Sequence, residues 1–164
     1  MPDFQKLLAA LADHDVSFVL VGGLAAAAHG SSILTEDVDV CTSFDAGNMG
    51  RLLSALNGFG PRHRLVGRTK QLSEGPEELA RLKNLYLSTD VGYIDFLSEI
   101  AGVGGFEAVM RASVQMTIFG KKIRVLGLDA LIASKKAMGR PKDAETVIQL
   151  ETILQKTKSH GILR

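Results

Sequence analysis

Asp37 and Asp39, in the stretch DVDVCT, are two carboxylates separated by one valine. In an extended strand side chains alternate faces, so the two aspartates project together while Val38 and Val40 point the other way. The strand rise sets their roots about 7 Å apart. Carboxylates that close repel unless a cation sits between them, and hard oxygen ligands suit Mg²⁺ or Mn²⁺. A third acidic group lies in YIDFL, where Ile94 and Phe96 face the core and Asp95 falls on the opposite face with Tyr93 and Leu97. An aspartate among aromatic and aliphatic strand neighbours is costly without a partner. If this strand lies beside the first, three carboxylates converge, enough to hold two divalent cations for an in-line phosphoryl or nucleotidyl displacement. An isolated D-x-D is more often a strand-end cap or a turn, so the surrounding residues must carry the weight.

Gly22 and Gly23 precede the aspartates, after the apolar run SFVLV and before LAAAAHG. Glycines between a buried strand and a helix let phosphate oxygens approach the backbone, near unpaired N–H groups of the following helix. The stretch fits neither the Walker pattern nor G-x-G-x-x-G, because Leu24 and Ala25 follow. A tight turn explains the glycines equally well when they are taken alone. Paired with Asp37 and Asp39, they would bring a triphosphate and cations together.

These residues need elements to position them. Phe4, Leu7, Leu8 and Leu11 recur at helical spacing, which predicts an amphipathic helix over residues 3–13. Residues 17–21 read as a strand buried on both faces, followed by a short alanine helix ending near Gly30. After DVDVCT, residues 45–57 read as a helix capped by Asp45. Residues 60–75 are polar and irregular and read as a loop or mobile flap with at most a short strand, and Pro76 opens a short helix. NLYLSTDVGYIDFL predicts a hairpin, residues 104–111 a short helix, and VQMTIFGKKIRVLG a second hairpin turning at Gly120 and Lys121. A helix beginning near Asp129 and a last one opened by Pro141 complete the chain; Val147, Leu150, Ile153 and Leu154 form the apolar stripe of the last. The expectation is one α/β (α+β) domain over residues 1–164, a mixed sheet covered by helices, with helices at the C-terminus.

The chain has 164 residues, of which 46% are hydrophobic, enough for one core. A net charge of +1 gives no global electrostatic case for nucleic acid or a membrane surface. From Gly120 onward, however, ten Lys/Arg stand against four Asp/Glu. One cysteine, Cys41, excludes an internal disulfide and a thiolate cluster, and is expected to be a buried inert thiol. The charged N-terminus does not read as a signal peptide and no apolar run approaches membrane-spanning length, so a cytoplasmic protein is expected. His14, His29, His63 and His160 lack metal-ligand spacing, which counts against a phosphohydrolase; His29 is read as a helix-end residue.

The stretch VGGLAAAAHGSSILTEDVDV resembles the signature of the DNA polymerase β-like nucleotidyltransferase superfamily: a hydrophobic residue, Gly-Gly or Gly-Ser, a short connection, then Asp-hydrophobic-Asp, with a third carboxylate on a later strand. Within it the chain is most similar to small bacterial proteins related to AbiEii-type toxins and minimal nucleotidyltransferases, whose C-terminal segment resembles LDALIASKKAMGRPKDAETVIQL. The resemblance implies a nucleotidyltransferase-fold sheet and transfer of NMP from an NTP to an acceptor hydroxyl, with release of pyrophosphate. It implies that Gly22 and Gly23 contact the triphosphate, that Asp37 and Asp39 bind two Mg²⁺, and that Asp95 shares a metal and acts as, or orients, the base. Lys135, Arg140 and Lys142 become candidates for phosphate or acceptor contacts, Asp143 for pairing with one of them, and Thr35 for bonding a phosphate or fixing its loop. Where relatives often carry Arg before the first aspartate, this chain carries Glu36. The acceptors implied are a tRNA end, a small-molecule hydroxyl such as that of an antibiotic, or a protein side chain; in so small a chain their recognition is expected from the 60–75 loop, the basic C-terminal segment, or a partner protein or homo-oligomer. The alternative is a non-catalytic nucleotide-binding or toxin–antitoxin partner protein of the same fold; the plainest reading is an α/β domain whose aspartates only cap strands.

Overall fold

The computed structural model describes residues 2–160. Helix α1 (Phe4–Asp13) starts at Asp3, whose side chain accepts from the Lys6 N–H at 3.1 Å, and buries Leu7, Leu8 and Leu11. Strand β1 (Phe18–Val21) is buried at every position, as an almost wholly apolar strand covered on both faces must be. It runs into α2 (Gly22–Ala28), then β2 (Asp37–Thr42) and α3 (Ala46–Leu56), which Asp45 caps by accepting from the Asn48 N–H.

Residues 60–75 are more ordered than their composition predicts. They form an antiparallel hairpin, β3 (Arg62–Leu65) and β4 (Arg68–Gln71), and β3 pairs with β5. The expected loop or flap is thereby corrected. The strands escaped notice because β4 is exposed at every position, so no hydrophobic alternation marks it. Helix α4 (Pro76–Leu79) leads to β5 (Asn84–Thr89) and β6 (Gly92–Leu97), the expected hairpin. Two short strands, β7 (Glu99–Ile100) and β8 (Gly104–Gly105), pair with each other before α5 (Phe106–Arg111). The second hairpin is β9 (Ser113–Ile118) with β10 (Lys121–Leu126), turning through Phe119 and Gly120, both at positive φ. Helix α6 (Leu128–Met138) ends at Gly139 in the left-handed conformation, and a single 3₁₀ turn (Pro141–Asp143) leads into α7 (Ala144–Ser159).

The main sheet has eight strands in the order β4-β3-β5-β6-β2-β1-β10-β9. It is mixed: β2 runs parallel to β6 and β1 parallel to β10, while the other neighbours are antiparallel. Strands β1, β2 and β6 occupy its middle. There Leu20, Val38, Val40, Ile94, Phe96 and Val125 are almost completely buried, which fixes the register. A slip of one residue would send Val38 and Val40 to the face that carries the aspartates.

Candidate active site

The register of β2 against β6 pairs Asp39 directly with Asp95, and Asp37 with Tyr93. The three carboxylates thus lie on one face of two adjacent central strands, as their alternation predicts. Strand β1 presents Val21 opposite Asp39, and the chain then turns at Gly22 with φ +67°. A Cβ at Gly22 would run into the Asp39 carboxylate, and one at Gly23 would meet Thr35 Oγ1. The glycines leave room for neighbouring side chains of the protein itself, a reason the sequence does not disclose. Thr35 in turn donates from Oγ1 to the Asp37 carbonyl at 3.2 Å, so it fixes the loop that enters β2.

Across from the carboxylates, α6 and the turn after it supply a basic wall. Lys135 is 4% exposed, and its Nζ lies 3.3 Å from Asp143 Oδ1; Arg140 Nε donates to Asp143 Oδ2 at 2.6 Å. Asp143 therefore pairs with both cations rather than one. Lys142 is exposed, and among the described residues it has no ion-pair partner. Together these elements enclose a cleft of about 450 Å³ whose lining includes Gly22, Gly23, Thr35, Asp37, Asp39, Asp95, Lys135, Arg140 and Lys142. All nine residues singled out in the sequence thus meet in one place. Glu36, also on the cleft lining, is exposed.

One participant was not anticipated. Arg64, on the β3–β4 hairpin, donates from Nη2 to Asp95 Oδ1 and from Nη1 to the Leu87 carbonyl at 3.1 Å, and its guanidinium lies 4.8 Å from the centre of the Tyr93 ring. A basic residue inside an apparently unstructured segment carries no sequence signal for this contact.

The carboxyls of the two walls are shifted in opposite directions. Burial, then the like charges of Asp95 and Asp37, push Asp39 up to about 6, with Lys135 pulling the other way. Burial also raises Asp95, partly offset by Arg64. At Asp143 burial works upward too, but the hydrogen bond from Arg140 and the charge of Lys135 outweigh it and hold the carboxyl below its ordinary value. Away from the cleft, Cys41 is wholly buried and its thiol is pushed up to about 12, as an inert core cysteine should be. His29 caps α2 and donates from Nε2 to the Leu126 carbonyl at 2.8 Å, a helix-end role.

Among the described residues no three His, Cys, Asp or Glu side chains form a ready metal cage. The donor set nevertheless fits a hard divalent cation: Asp37 and Asp39 offer only carboxylate oxygens, on one face of β2 beside Asp95. Asp95 fits less directly, because Arg64 already engages its Oδ1. Among the described residues no helix is long and apolar enough to cross a membrane.

No protein-family model matches the chain, and no curated protein matches it. Solved structures do resemble it. The lincosamide antibiotic adenylyltransferase LnuA, with lincomycin bound, superposes with a TM-score of 0.63 at 14% identity, over 93% of this chain and 98% of that one. A candidate nucleotidyltransferase from Thermotoga maritima gives 0.56 at 19% identity, over 91% of this chain and 90% of that one. The antibiotic-resistance factor ANT(2″)-Ia, in complex with adenylyl-2″-tobramycin, gives 0.53 at 14% identity, over 96% of this chain and 95% of that one. At such identities the likeness establishes the fold, a mixed sheet with helices shared with nucleotidyltransferases.

Proposed function

We propose that the cleft transfers a nucleotidyl group from an NTP to an acceptor hydroxyl. The observation that carries this reading is the convergence, from four separate stretches of chain, of backbone glycines, three carboxylates and three cations on one cleft. In the proposed reaction the acceptor oxygen attacks the α-phosphorus, the bond from that phosphorus to the bridging oxygen breaks, and pyrophosphate leaves.

Asp37 and Asp39 would hold Mg²⁺ or Mn²⁺, with Asp95 as a third oxygen ligand once its contact with Arg64 is given up. When bound, the cations supply charge neutralisation at the reacting phosphate and at the departing pyrophosphate. The chain's own groups do the rest. Lys142 and Arg140 meet the negative charge of the triphosphate, while Gly22 and Gly23 make room for the Asp39 carboxylate and the Thr35 hydroxyl that shape the cleft. Lys135 is too buried to reach far, and acts by keeping Asp143 and hence Arg140 in position. Asp95, on the strand facing the acceptor side, takes or orients the proton of the acceptor hydroxyl. Holding these groups on rigid central strands gives orientation, which accounts for a large part of the barrier reduction in displacements of this kind.

The test is release of pyrophosphate from each NTP in the presence of Mg²⁺ and a cell lysate as acceptor source, comparing the protein with Asp37→Ala. Transfer requires release that the substitution abolishes. A second reading, a nucleotide-binding partner protein with turnover lost, as in a toxin–antitoxin pair, is favoured by Glu36 on the cleft lining and by the hold of Arg64 on Asp95. That reading predicts a thermal shift with NTP and Mg²⁺ but no pyrophosphate.

A further inference from the structure

The two edges of the main sheet are built differently. Strand β4, at one edge, carries Arg68 and Lys70 and is exposed at every position, so two copies meeting there set like charges against each other. Strand β9, at the other, reads SVQMTI, with no charge, no proline and, among the described residues, no outer neighbour. Its backbone groups face outward in a fixed pattern. Ile118 and Lys121 close the two-residue turn at Phe119 and Gly120 and bond to each other, and Met116 and Val114 follow in bonding to β10. Ser113, Gln115 and Thr117 therefore aim their N–H and C=O groups at the open side. Val114, Met116 and Ile118 are half-buried and share a face with Ile123 and Val125 of β10, whereas Gln115 and Thr117 are exposed. At the end of β9 stands Phe119, 49% exposed. At its start Arg111 and Ala112 line a groove of about 860 Å³ together with Leu128, Ile153 and Leu154.

We propose that β9 is an interface for a second copy of this chain, pairing antiparallel with its counterpart about a twofold axis through Gln115. Gln115 is the centre of the three outward-bonding residues, so this register uses all of them: Gln115 pairs with itself, and Ser113 with Thr117 of the second copy. Val114 then lies beside Met116 of the second copy, and the half-buried apolar stripe continues across the seam. An uncharged strand meets itself without repulsion, which β4 does not. The ends of the strand are complementary as well. An exposed ring at one end and an apolar groove edged by a guanidinium at the other are what antiparallel self-pairing brings together, twice, by symmetry. Along the joined sheet seven strand spacings, about 34 Å, separate the two copies of β2 and hence the two clefts.

The test is sedimentation equilibrium of the intact protein over a concentration series, with a thermal melt of each variant to verify folding. The expected result is a monomer–dimer equilibrium. Gln115→Pro removes an N–H that points away from β10 and is expected to weaken the dimer about tenfold or more. Gln115→Lys and Gln115→Glu, on an exposed side chain, each place like charges opposite one another and weaken it, whereas an equimolar mixture of the two recovers association. Phe119→Asn, which suits the positive φ there, is expected to weaken it about fivefold or more, and Thr69→Pro on the β4 edge leaves it unchanged. A protein that stays monomeric at every concentration overturns the assignment, including the case in which a foreign peptide binds β9 instead. A dimer indifferent to the charge at Gln115, or one lost in Thr69→Pro, overturns it too; if Gln115→Pro fails to fold, the charge-swapped pair decides.

Discussion

On one wall of the cleft Asp37, Asp39 and Asp95 share a face of β2 and β6, with Arg64 paired to Asp95 and the charge of Lys135 acting on Asp39; on the other, Asp143 sits between Lys135 and Arg140. Both walls put charge in partly or wholly buried positions, yet the carboxyls respond in opposite senses, Asp39 raised to about 6 and Asp143 lowered. On the basic wall Lys135 and Arg140 are both paired with Asp143, and Lys142 has no ion-pair partner among the described residues. On the acidic wall Asp37 and Asp39 have no ion-pair partner among the described residues, and that imbalance is the reason a cation is proposed there.

Substitutions should separate the walls. Asp39→Asn is expected to lower nucleotidyl transfer by about 1,000-fold or more, through loss of metal-borne charge stabilisation. In metal-free buffer at neutral pH the same change should raise Tm by at least roughly 2 °C, because it removes a repelled carboxylate. A kinetic assay and a thermal melt on one preparation check both. On the opposite wall Asp143→Ala leaves the buried Lys135 charge uncompensated, at a cost of about 3–5 kcal/mol, so Tm should fall by on the order of 10 °C. If both variants shift stability the same way, the contrast between the walls is wrong.

The contrast also has a pH signature. A carboxyl raised in the folded state binds its proton more tightly there than in the unfolded chain. The metal-free protein should therefore lose stability as pH rises from about 4 towards about 6, the interval set by Asp39, with the full loss present above it. Asp143, lowered in the folded state, adds stability above its unfolded value that disappears as pH falls through the folded one, on the acid side of that interval. Melting curves from pH 3 to 8 should show both limbs, and saturating Mg²⁺ should suppress the limb due to Asp39 alone. The smallest expected effect is at Lys142, which is exposed. Lys142→Ala should raise KM for NTP roughly 3- to 10-fold, with stability changed by no more than about 0.5 kcal/mol, read from initial rates and a melt.

Much of the acidic wall is legible in the sequence because strand alternation is a local rule. Val38 and Val40 against Asp37 and Asp39, and Ile94 and Phe96 against Asp95, declare their faces without knowledge of the fold. The order of elements is legible for the same reason, in periodicities that buried helices and strands must show. What stays hidden is long-range. That β2 and β6 pair with Asp39 opposite Asp95 depends on a register no local pattern prints, and that Gly22 is bare because Asp39 occupies the space beside it depends on residues 17 positions apart. The β3–β4 hairpin leaves no local signal because its outer strand is polar on both faces, and Arg64, which pairs with Asp95, is hidden with it. On the basic wall Lys135 reads as a phosphate ligand by its type, whereas its burial and its pairing with Asp143 depend on contacts no local pattern prints.

The most direct measurement of the central claim is to supply the protein with NTP labelled in turn at the α- and the γ-phosphate, with Mg²⁺ and a single-stranded RNA pool, and to follow where each label goes. Nucleotidyl transfer at this cleft predicts α-label joined to the acceptor and γ-label released in pyrophosphate, both lost in Asp39→Asn. Gamma-label on the acceptor or in free phosphate, or α-label transfer that survives Asp39→Asn, would contradict it.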